Sequence, residues 1–599
     1  MIFRKASLAV ILLSAAVTQS RGEAPKPHEE TDAMKSPQQA ARMARGDENA
    51  ENTGMDVIIR HGKIIDGTGG GWFYGDVGIK DGKIAAIGDL SNEQAAKEID
   101  ATGNVVTPGF IDVHTHADDD LYNHKEAENF VRDGVTTIVT GNCGGSVGDV
   151  GEYLAKLKTD GVGINVATLY GHNTILKATK GPAAGELTPA QWVKAKGLMD
   201  KAMRDGAVGL STGLIYTPGI FSKTEEIVEL NKISGAYGGI YATHMRSESN
   251  GIVDAINEAL RVGREGNSRV EISHFKMPKD VAEKLGGADV TLKMVTDARI
   301  AGQEVWVDQY PYTASSTSLS TMLPDWVLEK GPAEAKKILK DPDQLKKVMA
   351  DMKENSEVQR KRKDMSYAVV TSSLASPQYS GMNIKQITQL EKMKKEKADK
   401  IDFKSIPESQ LPPVTMDEQY ETIINIYLNG SAGCVFHTMN EKEVEDIMRS
   451  PLVSVCSDSG VRVLGEGVPH PRGYGSNARV LGKYVRDEHI ITLEEAVRKM
   501  TSMPALAFRF PDRGLLRPGY CADVNIFNAD TVTDKATYDD PHHYSEGFSY
   551  VIVNGEVVVD HDKGTGALPG MPIYGPGIGK NLHLAPEPVA TSAAAETKG

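Results

Sequence analysis

The 599-residue chain is predicted to fold as an α/β protein, a (β/α)8 TIM barrel with an inserted lid subdomain and a small β-sandwich formed by its two flanks. Three observations predict this fold. Eight short apolar runs alternate with mostly helical stretches, metal-ligand side chains follow several of the runs, and short alternating runs flank the whole set. Because parallel strands of a closed barrel end at one face, side chains far apart in sequence can converge there.

The N-terminus has the features of an export signal over residues 1–24. Arg4 and Lys5 precede an apolar stretch from 6 to 17, which is too short to cross a bilayer comfortably. Residues 25–54 lack periodic apolar positions and are predicted to be a flexible linker. We therefore expect an exported protein, periplasmic or secreted, with no membrane partner after signal cleavage. An uncleaved anchor is the alternative.

The flanks, residues 55–107 and 511–570, are predicted to form the β-sandwich together. Both contain short alternating runs broken by turn signals, and Asn554-Gly555 between two apolar runs is a strong hairpin signal. Residues 571–599 are predicted to be a flexible tail.

The barrel is predicted to span residues 108–510. The eight apolar runs lie near 109–116, 135–142, 163–170, 207–212, 239–244, 269–274, 303–309 and 452–458. The connection between the last two runs is far longer than a βα unit requires. We therefore predict an inserted subdomain at about 318–430 that forms a lid over the site.

Six side chains of metal-ligand type lie near the ends of these runs: His114, His116, Cys143, His244, His274 and Asp458. His114 and His116 are separated by one residue, and positions i and i+2 of a strand point to the same side, so both can face one ion. An isolated histidine is more often an ordinary polar residue. Six candidates at strand ends favour a metal centre instead.

Eight sequence blocks resemble the D-aminoacylase (N-acyl-D-amino-acid deacylase) family of the amidohydrolase superfamily, between about Met55 and Gly570. The blocks are GFIDVHTH (109–116), GVTTIVTGNCG (134–144), GAVGLSTGLIYTPG (206–219), YATHMRSE (241–248), ISHFK (272–276), DQYPYTASS (308–316), SDSG (457–460) and HPRGYGS (470–476). The resemblance implies that Cys143 takes the place of the carboxylated lysine that bridges two metals in many amidohydrolases. It also implies that Lys276, Tyr310 and Ser316 assist in substrate binding.

Thiolate, imidazole and carboxylate ligands together suit zinc. We expect one tightly bound Zn²⁺ at Cys143, His244 and His274, with His114, His116 and Asp458 available to a second or weaker ion. Asp458 is predicted to be the general base, with a purely structural ligand role as the alternative.

Arg472 is predicted to bind the substrate α-carboxylate, because a guanidinium offers two parallel donors. For Lys276 and Tyr310, a packing or outer-shell role is nearly as compatible with the sequence.

The resemblance implies zinc-dependent hydrolysis of N-acyl-D-amino acids to a carboxylate and a free D-amino acid. The alternatives are a deacylase of N-acyl-D-glutamate or N-acyl-D-aspartate, or a dipeptidase acting before a D-residue. A non-catalytic ligand-binding protein of the same fold is a further alternative. The complete ligand set argues against this last class.

The composition limits which classes of partner are expected. The net charge of -14 and the pI near 5.6 argue against nucleic acid as a partner. The partner that the resemblance implies is a small N-acyl-D-amino acid or a dipeptide with a D-residue. The 4 cysteines are too few for a disulfide-dense exported scaffold, although one or two bridges remain compatible with the sequence. The oligomeric state is not fixed by the sequence.

Overall fold

The computed structural model describes residues 54–396, 403, 406–582 and 584. The predicted signal segment, almost all of the predicted linker and the end of the predicted tail lie outside the described residues. Among the residues described, no helix has both the length and the apolar character needed to cross a membrane.

Five strands precede the barrel: β1 (Met55–Ile64), β2 (Phe73–Lys80), β3 (Lys83–Gly88), β4 (Ala95–Asp100) and β5 (Val105–Pro108). β1 pairs antiparallel with β2 and parallel with both β4 and β5. Asp81 and Gly82 join β2 to β3 with φ values of 49° and 73°, the left-handed backbone that a two-residue hairpin turn favours.

The first seven strands of the barrel are β6 (Phe110–Asp112), β7 (Val135–Thr140), β8 and β9 (Asn165–Thr168 and Tyr170–Gly171, one interrupted strand), β10 (Gly209–Gly213), β11 (Ile240–His244), β12 (Arg269–Ile272) and β13 (Val305–Gln309). Neighbouring strands pair in parallel.

The helices between these strands are α1 (Glu128–Val131), α2 (Val150–Asp160), α3 (His172–Lys180), α4 (Pro189–Arg204), α5 (Thr224–Tyr237), α6 (Ile252–Glu265), α7 (Lys279–Leu285) and α8 (Asp289–Ile300). α6 shows why they pack against the strands. Ile252, Ile256 and Leu260 recur at helical spacing and are buried, so one apolar face covers the barrel.

The insertion contains β14 (Ser315–Ser318), α9 (Asp325–Leu328), α10 (Pro332–Lys340), α11 (Pro342–Lys353), β15 (Ala368–Ser372), α12 (Ile384–Glu396), α13 (Met416–Leu428) and β16 (Gly433–Phe436). Its three strands pair antiparallel in the order β14-β16-β15, over a separate cluster of buried apolar residues. Because Ser315 pairs with Phe436, the subdomain begins a few residues before, and ends a few residues after, the predicted bounds of about 318–430. The run 315–318 consists of serine and threonine and gives no apolar signal.

After the insertion come α14 (Glu441–Arg449), β17 (Val453–Val455), α15 (Arg472–Arg479), α16 (Leu493–Met500) and α17 (Ser502–Phe508). β17 pairs in parallel with β13. A parallel bridge joins Thr115 to Ser459, and the His116 N–H donates to the Ser459 carbonyl at 2.8 Å, which closes the ring. The predicted eight-stranded barrel is confirmed.

The second flank contains β18 (Val524–Phe527), β19 (Phe548–Val553), β20 (Glu556–Asp560) and β21 (Lys563–Gly564). β18 pairs antiparallel with β5, so the two flanks form one nine-stranded sheet with the order β21-β20-β19-β18-β5-β1-β2-β3 and β4 beside β1. Strand pairing thus joins the regions that were predicted to associate as a sandwich.

The chain beyond the second flank runs along the barrel, where the sequence predicted the start of a flexible tail. Met571 donates its N–H to the Asn165 side chain at 3.1 Å, and Gly575 donates to the Gly206 carbonyl at 2.7 Å. Ile573 packs against apolar side chains of the barrel strands. The described part of this segment is therefore attached to the barrel, because its backbone hydrogen bonds and one apolar side chain have partners there.

Candidate active site

The six predicted ligands converge at the carboxyl ends of the barrel strands. His114 and His116 follow β6, Cys143 follows β7, His244 ends β11, His274 follows β12 and Asp458 follows β17. All six side chains therefore lie at one face of the barrel.

Three of the ligands have left-handed backbone. The φ values are 53° for Cys143, 36° for His274 and 49° for Asp458. Residues other than glycine adopt this conformation at an energetic cost, and such residues cluster at functional sites. These three residues follow β7, β12 and β17, at the points where the chain leaves the barrel beside the site.

The Cys143 thiol lies among three imidazoles. Its Sγ is 3.3 Å from His114 Nε2, 3.6 Å from His274 Nε2 and 3.8 Å from His244 Nδ1. Two ligands bound to one zinc ion, with the usual Zn–S and Zn–N lengths and tetrahedral angles, are about 3.6 Å apart. The donor atoms and spacing therefore fit a metal ion. The candidate group of ligand atoms that contains the thiol is His114, Cys143 and His274. We call Cys143, His244 and His274, the set predicted for the tighter ion, the thiolate triad.

A second ligand set lies beside the first. Asp458 Oδ1 is 3.0 Å from His116 Nε2 and 3.4 Å from His114 Nε2. These three residues form a candidate group for an ion, and His114 also faces the thiol. The His116 side chain is 39% exposed, whereas the Asp458 side chain is 9% exposed. The second set is therefore more exposed to solvent, through His116, than the thiolate triad.

Charges at the site favour ionised ligands. Burial raises the pKa of the Cys143 thiol, but the His114 charge and hydrogen bonds from the histidines outweigh burial and hold that pKa well below its usual range. Burial also raises the pKa of Asp458, and the charges of Arg472 and His114 outweigh it in the same way. A thiolate and a carboxylate are the forms that bind a cation.

Two buried carboxyl groups behind His114 were missed by the sequence reasoning. Asp308 Oδ1 lies 3.3 Å from His114 Nδ1, without the alignment of a hydrogen bond, while His114 Nε2 faces the Cys143 sulfur. Asp112 accepts hydrogen bonds from the N–H groups of His114 and Ser457, and burial raises its pKa to about 7. Both acids lie in the sequence blocks that resemble the family, but only the folded structure shows that both contact His114.

Three of the predicted substrate-binding residues form one cluster. The Arg472 guanidinium lies over the Tyr310 ring at 4.6 Å, and Nη2 donates to the Ser316 carbonyl at 3.3 Å. Arg472 Nη1 is 2.7 Å from Asp458 Oδ2, but its N–H groups are not aligned for a hydrogen bond. The Tyr310 hydroxyl is buried and has no hydrogen-bond partner among the described residues. The Arg472 guanidinium therefore lies against both Tyr310 and Asp458.

Lys276 is placed differently from the other three. Its Nζ contacts Glu248 and lies 2.9 Å from His274 Nδ1. Glu248 was missed as a site residue, although it lies four positions after His244 in the block YATHMRSE. The structure therefore puts Lys276 next to the thiolate triad, 5.7 Å from the Tyr310 ring.

A cavity of about 480 Å³ opens between the barrel loops and the insertion. Tyr216, Glu248 and Lys276 line it from the barrel, and Thr317 lines it from β14. The Tyr216 hydroxyl is hydrogen-bonded to Thr317 at 2.9 Å, and its ring meets the His244 ring edge-on at 5.0 Å. Tyr216 was also missed, since its role depends on contact with the distant insertion. The insertion therefore lines one side of this cavity, and its role as a lid stays a prediction.

The four cysteines are all buried and free, so none of them forms a bridge with another. Cys434 lies in the apolar core of the insertion, whereas the Cys456 thiol donates to Asp308 Oδ1 at 3.0 Å.

Comparisons with known proteins agree with this geometry. Amidohydrolase family profiles match residues 105–281 and 442–559. A D-aminoacylase of Alcaligenes xylosoxydans xylosoxydans is 32% identical over 86% of this chain and 96% of that protein. An N-acyl-D-glutamate deacylase of the same organism is 34% identical over 84% of this chain and 93% of that protein.

A solved structure extends the comparison to the fold. The N-acyl-D-glutamate deacylase from Bordetella bronchiseptica, complexed with zinc and a phosphonate mimic of the tetrahedral intermediate, has a TM-score of 0.71 and 31% identity, covering 87% of this chain and 100% of that one. With its barrel, its ligand set and these relatives, the chain belongs to the D-aminoacylase family and is a metal-dependent amidohydrolase that acts on linear amide bonds.

Proposed function

We propose that this protein is an exported, zinc-dependent enzyme that hydrolyses N-acyl-D-amino acids to a carboxylate and a free D-amino acid. The observation that carries the proposal is the convergence of the thiolate triad with Asp458 and Arg472 at one end of the barrel. The activities named for the relatives support the substrate class. The charged N-terminus and short apolar stretch support export.

The zinc ion is proposed to bind tightly at the thiolate triad, and a weaker second ion at His114, His116 and Asp458. The zinc-bound structure of the Bordetella bronchiseptica relative supports the choice of metal. When bound, zinc polarises a carbonyl oxygen and lowers the pKa of water to about 7.

Asp458 is proposed to move the proton in the reaction. Its ionised carboxylate has Oδ1 beside both histidines of the second set and Oδ2 beside Arg472. As the oxygen of water bonds to the amide carbon, Asp458 accepts the proton that water loses. When the carbon–nitrogen bond breaks, it gives that proton to the leaving amine, so the free D-amino acid departs and Asp458 is again ionised.

N-acyl-D-glutamate is a second candidate substrate. It is supported by the 34% identical relative and by Arg360, which lines the cavity and makes no ion pair within the part of the chain that the structure describes. The insertion also lines this cavity with Leu323, Met352 and Phe436, which suit an apolar side chain. The two candidates share the same chemistry and differ in what fills the cavity.

Paired substrates test the function. Zinc-loaded mature protein should release free amino acid from N-acetyl-D-leucine, N-acetyl-D-methionine or N-acetyl-D-glutamate much faster than from the L-enantiomers. The rates within the D-series then decide between apolar and acidic side chains. Equal hydrolysis of D- and L-substrates, or none of either, would contradict the proposal.

Replacing Arg472 by lysine is expected to lower kcat/KM for N-acyl-D-amino acids by about 1.5–3 kcal/mol, the range for hydrogen bonds to charged groups. Lysine keeps the charge but cannot reproduce the planar fork that binds a carboxylate. The variant should also discriminate less between a substrate and its carboxamide analogue.

Zinc content should stay at the wild-type level in that variant. Arg479→Lys is the matched control, since Arg479 lies on the same helix but pairs with Asp534. An unchanged preference for acid over amide in Arg472→Lys would assign Arg472 a structural role and make Lys276 the leading carboxylate partner.

A further inference from the structure

One carboxylate lies behind both histidines of the thiolate triad. Glu248 Oε1 is 2.9 Å from His274 Nδ1, and Oε2 is 3.6 Å from His244 Nε2. The opposite nitrogens, His274 Nε2 and His244 Nδ1, face the Cys143 sulfur. Each imidazole therefore lies between the Cys143 thiol and the Glu248 carboxylate.

The chemistry of a ligated imidazole fixes where its proton lies. A nitrogen that binds a metal must offer its lone pair, so the other ring nitrogen carries the proton. With His244 bound through Nδ1 and His274 through Nε2, both protons lie on the side of Glu248, and His274 Nδ1 is 2.9 Å from both Glu248 Oε1 and the Lys276 ammonium. His244 Nε2 is buried and has no hydrogen-bond partner among the described residues, and Glu248 Oε2 is the carboxylate oxygen beside it. Glu248 Oε1 is thus at hydrogen-bond distance from His274 Nδ1, whereas Oε2 lies just beyond that distance from His244 Nε2.

Glu248 is held on a constrained loop between β11 and α6. Arg246, two positions earlier, makes a bidentate pair with Glu258 at 2.9 Å through both Nε and Nη2. It also donates to the carbonyls of Ile220 and Ser222. These contacts fix the loop without involving the histidines.

Lys276 lies beside Glu248 and His274. His244, Glu248 and His274 also offer three ligand atoms within 4.8 Å of one another, which makes them a candidate cation group of their own. The Lys276 ammonium, however, contacts Glu248 Oε1 and lies 3.1 Å from the His274 carbonyl, to which it donates. Its positive charge compensates the carboxylate and opposes the binding of a cation at this third group.

We propose that Glu248 is a positioning residue that orients His244 and His274 together and so sets the metal affinity of the thiolate triad, while Lys276 is the counter-ion that holds Glu248 in place. The inference rests on the metal site of the proposed function and is independent of the substrate. Partners of this kind change metal affinity because they fix the ring orientation and raise the basicity of the ligand.

The test replaces Glu248 by glutamine. Glutamine keeps the length of the side chain, but it has one acceptor oxygen and turns an NH2 group towards the second ring. Zinc affinity, measured by competition with a chelator, should fall by about 10- to 100-fold. The Co²⁺-loaded variant should also show a changed d–d absorption spectrum, because the geometry of two ligands is altered.

Glu265→Gln is the matched control, since Glu265 lies at the end of α6 and pairs with Arg261 on the surface. It should bind zinc as the wild type does. Wild-type zinc affinity and an unchanged Co²⁺ spectrum in Glu248→Gln would overturn the proposal. Failure of the wild-type protein to bind zinc would instead contradict the proposed function.

A folding defect in Glu248→Gln is detected by circular dichroism of the metal-free protein. In that case Glu248→Asp replaces it, because the shorter carboxylate keeps the charge but cannot reach both rings. Reduced zinc affinity in a folded Glu248→Asp variant supports the proposal, and wild-type affinity contradicts it.

Discussion

Cys143→Ala is expected to lose most of its bound zinc and nearly all of its activity. The thiolate is the one anionic ligand of the triad, and its sulfur lies within 3.8 Å of three imidazole nitrogens. Alanine leaves His244 and His274 without an anionic ligand between them. We expect an affinity loss beyond the 10- to 100-fold typical of outer-shell partners, measured as zinc per protein after dialysis.

Cys434→Ala is the control for the loss of a buried thiol. Cys434 lies in the core of the insertion, where burial raises its pKa to about 12, so it remains a neutral thiol. That variant should keep its zinc and its activity. Full zinc content and full activity in Cys143→Ala would make the assignment of the thiolate triad wrong.

Asp458→Asn is expected to keep zinc at the thiolate triad but to lose turnover. Asparagine has nearly the same shape, but it cannot accept the proton that water loses. General acid–base groups contribute about 10²- to 10⁴-fold to rate, so kcat should fall within that range. Zinc content and kcat are measured on the same preparation, which separates loss of chemistry from loss of metal.

Asp534→Asn is the matched control. Like Asp458, Asp534 is a carboxylate paired with an arginine of α15, but its partner is Arg479, away from the ligands. It should retain kcat. A near wild-type kcat in Asp458→Asn would leave Asp458 a structural ligand, the alternative that the sequence left open.

The barrel and the ligand positions could be predicted because their signals are local. Each barrel strand is a short apolar run, and a ligand such as His244 or Cys143 comes at its end or shortly after it. The fold class then brings those ends together, whatever the loops between them do. The convergence of the ligands around Cys143 therefore follows from the fold class.

Other features depend on contacts that no local pattern encodes. β14 is a run of serine and threonine that is a strand because it pairs with β16, more than a hundred residues later. Glu248 and Asp308 are ordinary acids in the sequence, and their contacts with the distal nitrogens of histidines appear only when the strands are assembled. Lys276 shows the same limit, because its ion pair with Glu248 depends on two separate loops.

The left-handed backbone at three ligands restricts how this centre can evolve. Asparagine, aspartate and histidine are the residues other than glycine that adopt this conformation most readily. His274 and Asp458 belong to that set, whereas Cys143 does not. A descendant that exchanges its thiolate for an oxygen or nitrogen ligand at position 143 should therefore do so most easily through aspartate or histidine. A β-branched residue at position 143 would oppose this left-handed conformation. The barrel backbone therefore limits which ligand side chains can stand at position 143, and through them which metals the centre can bind.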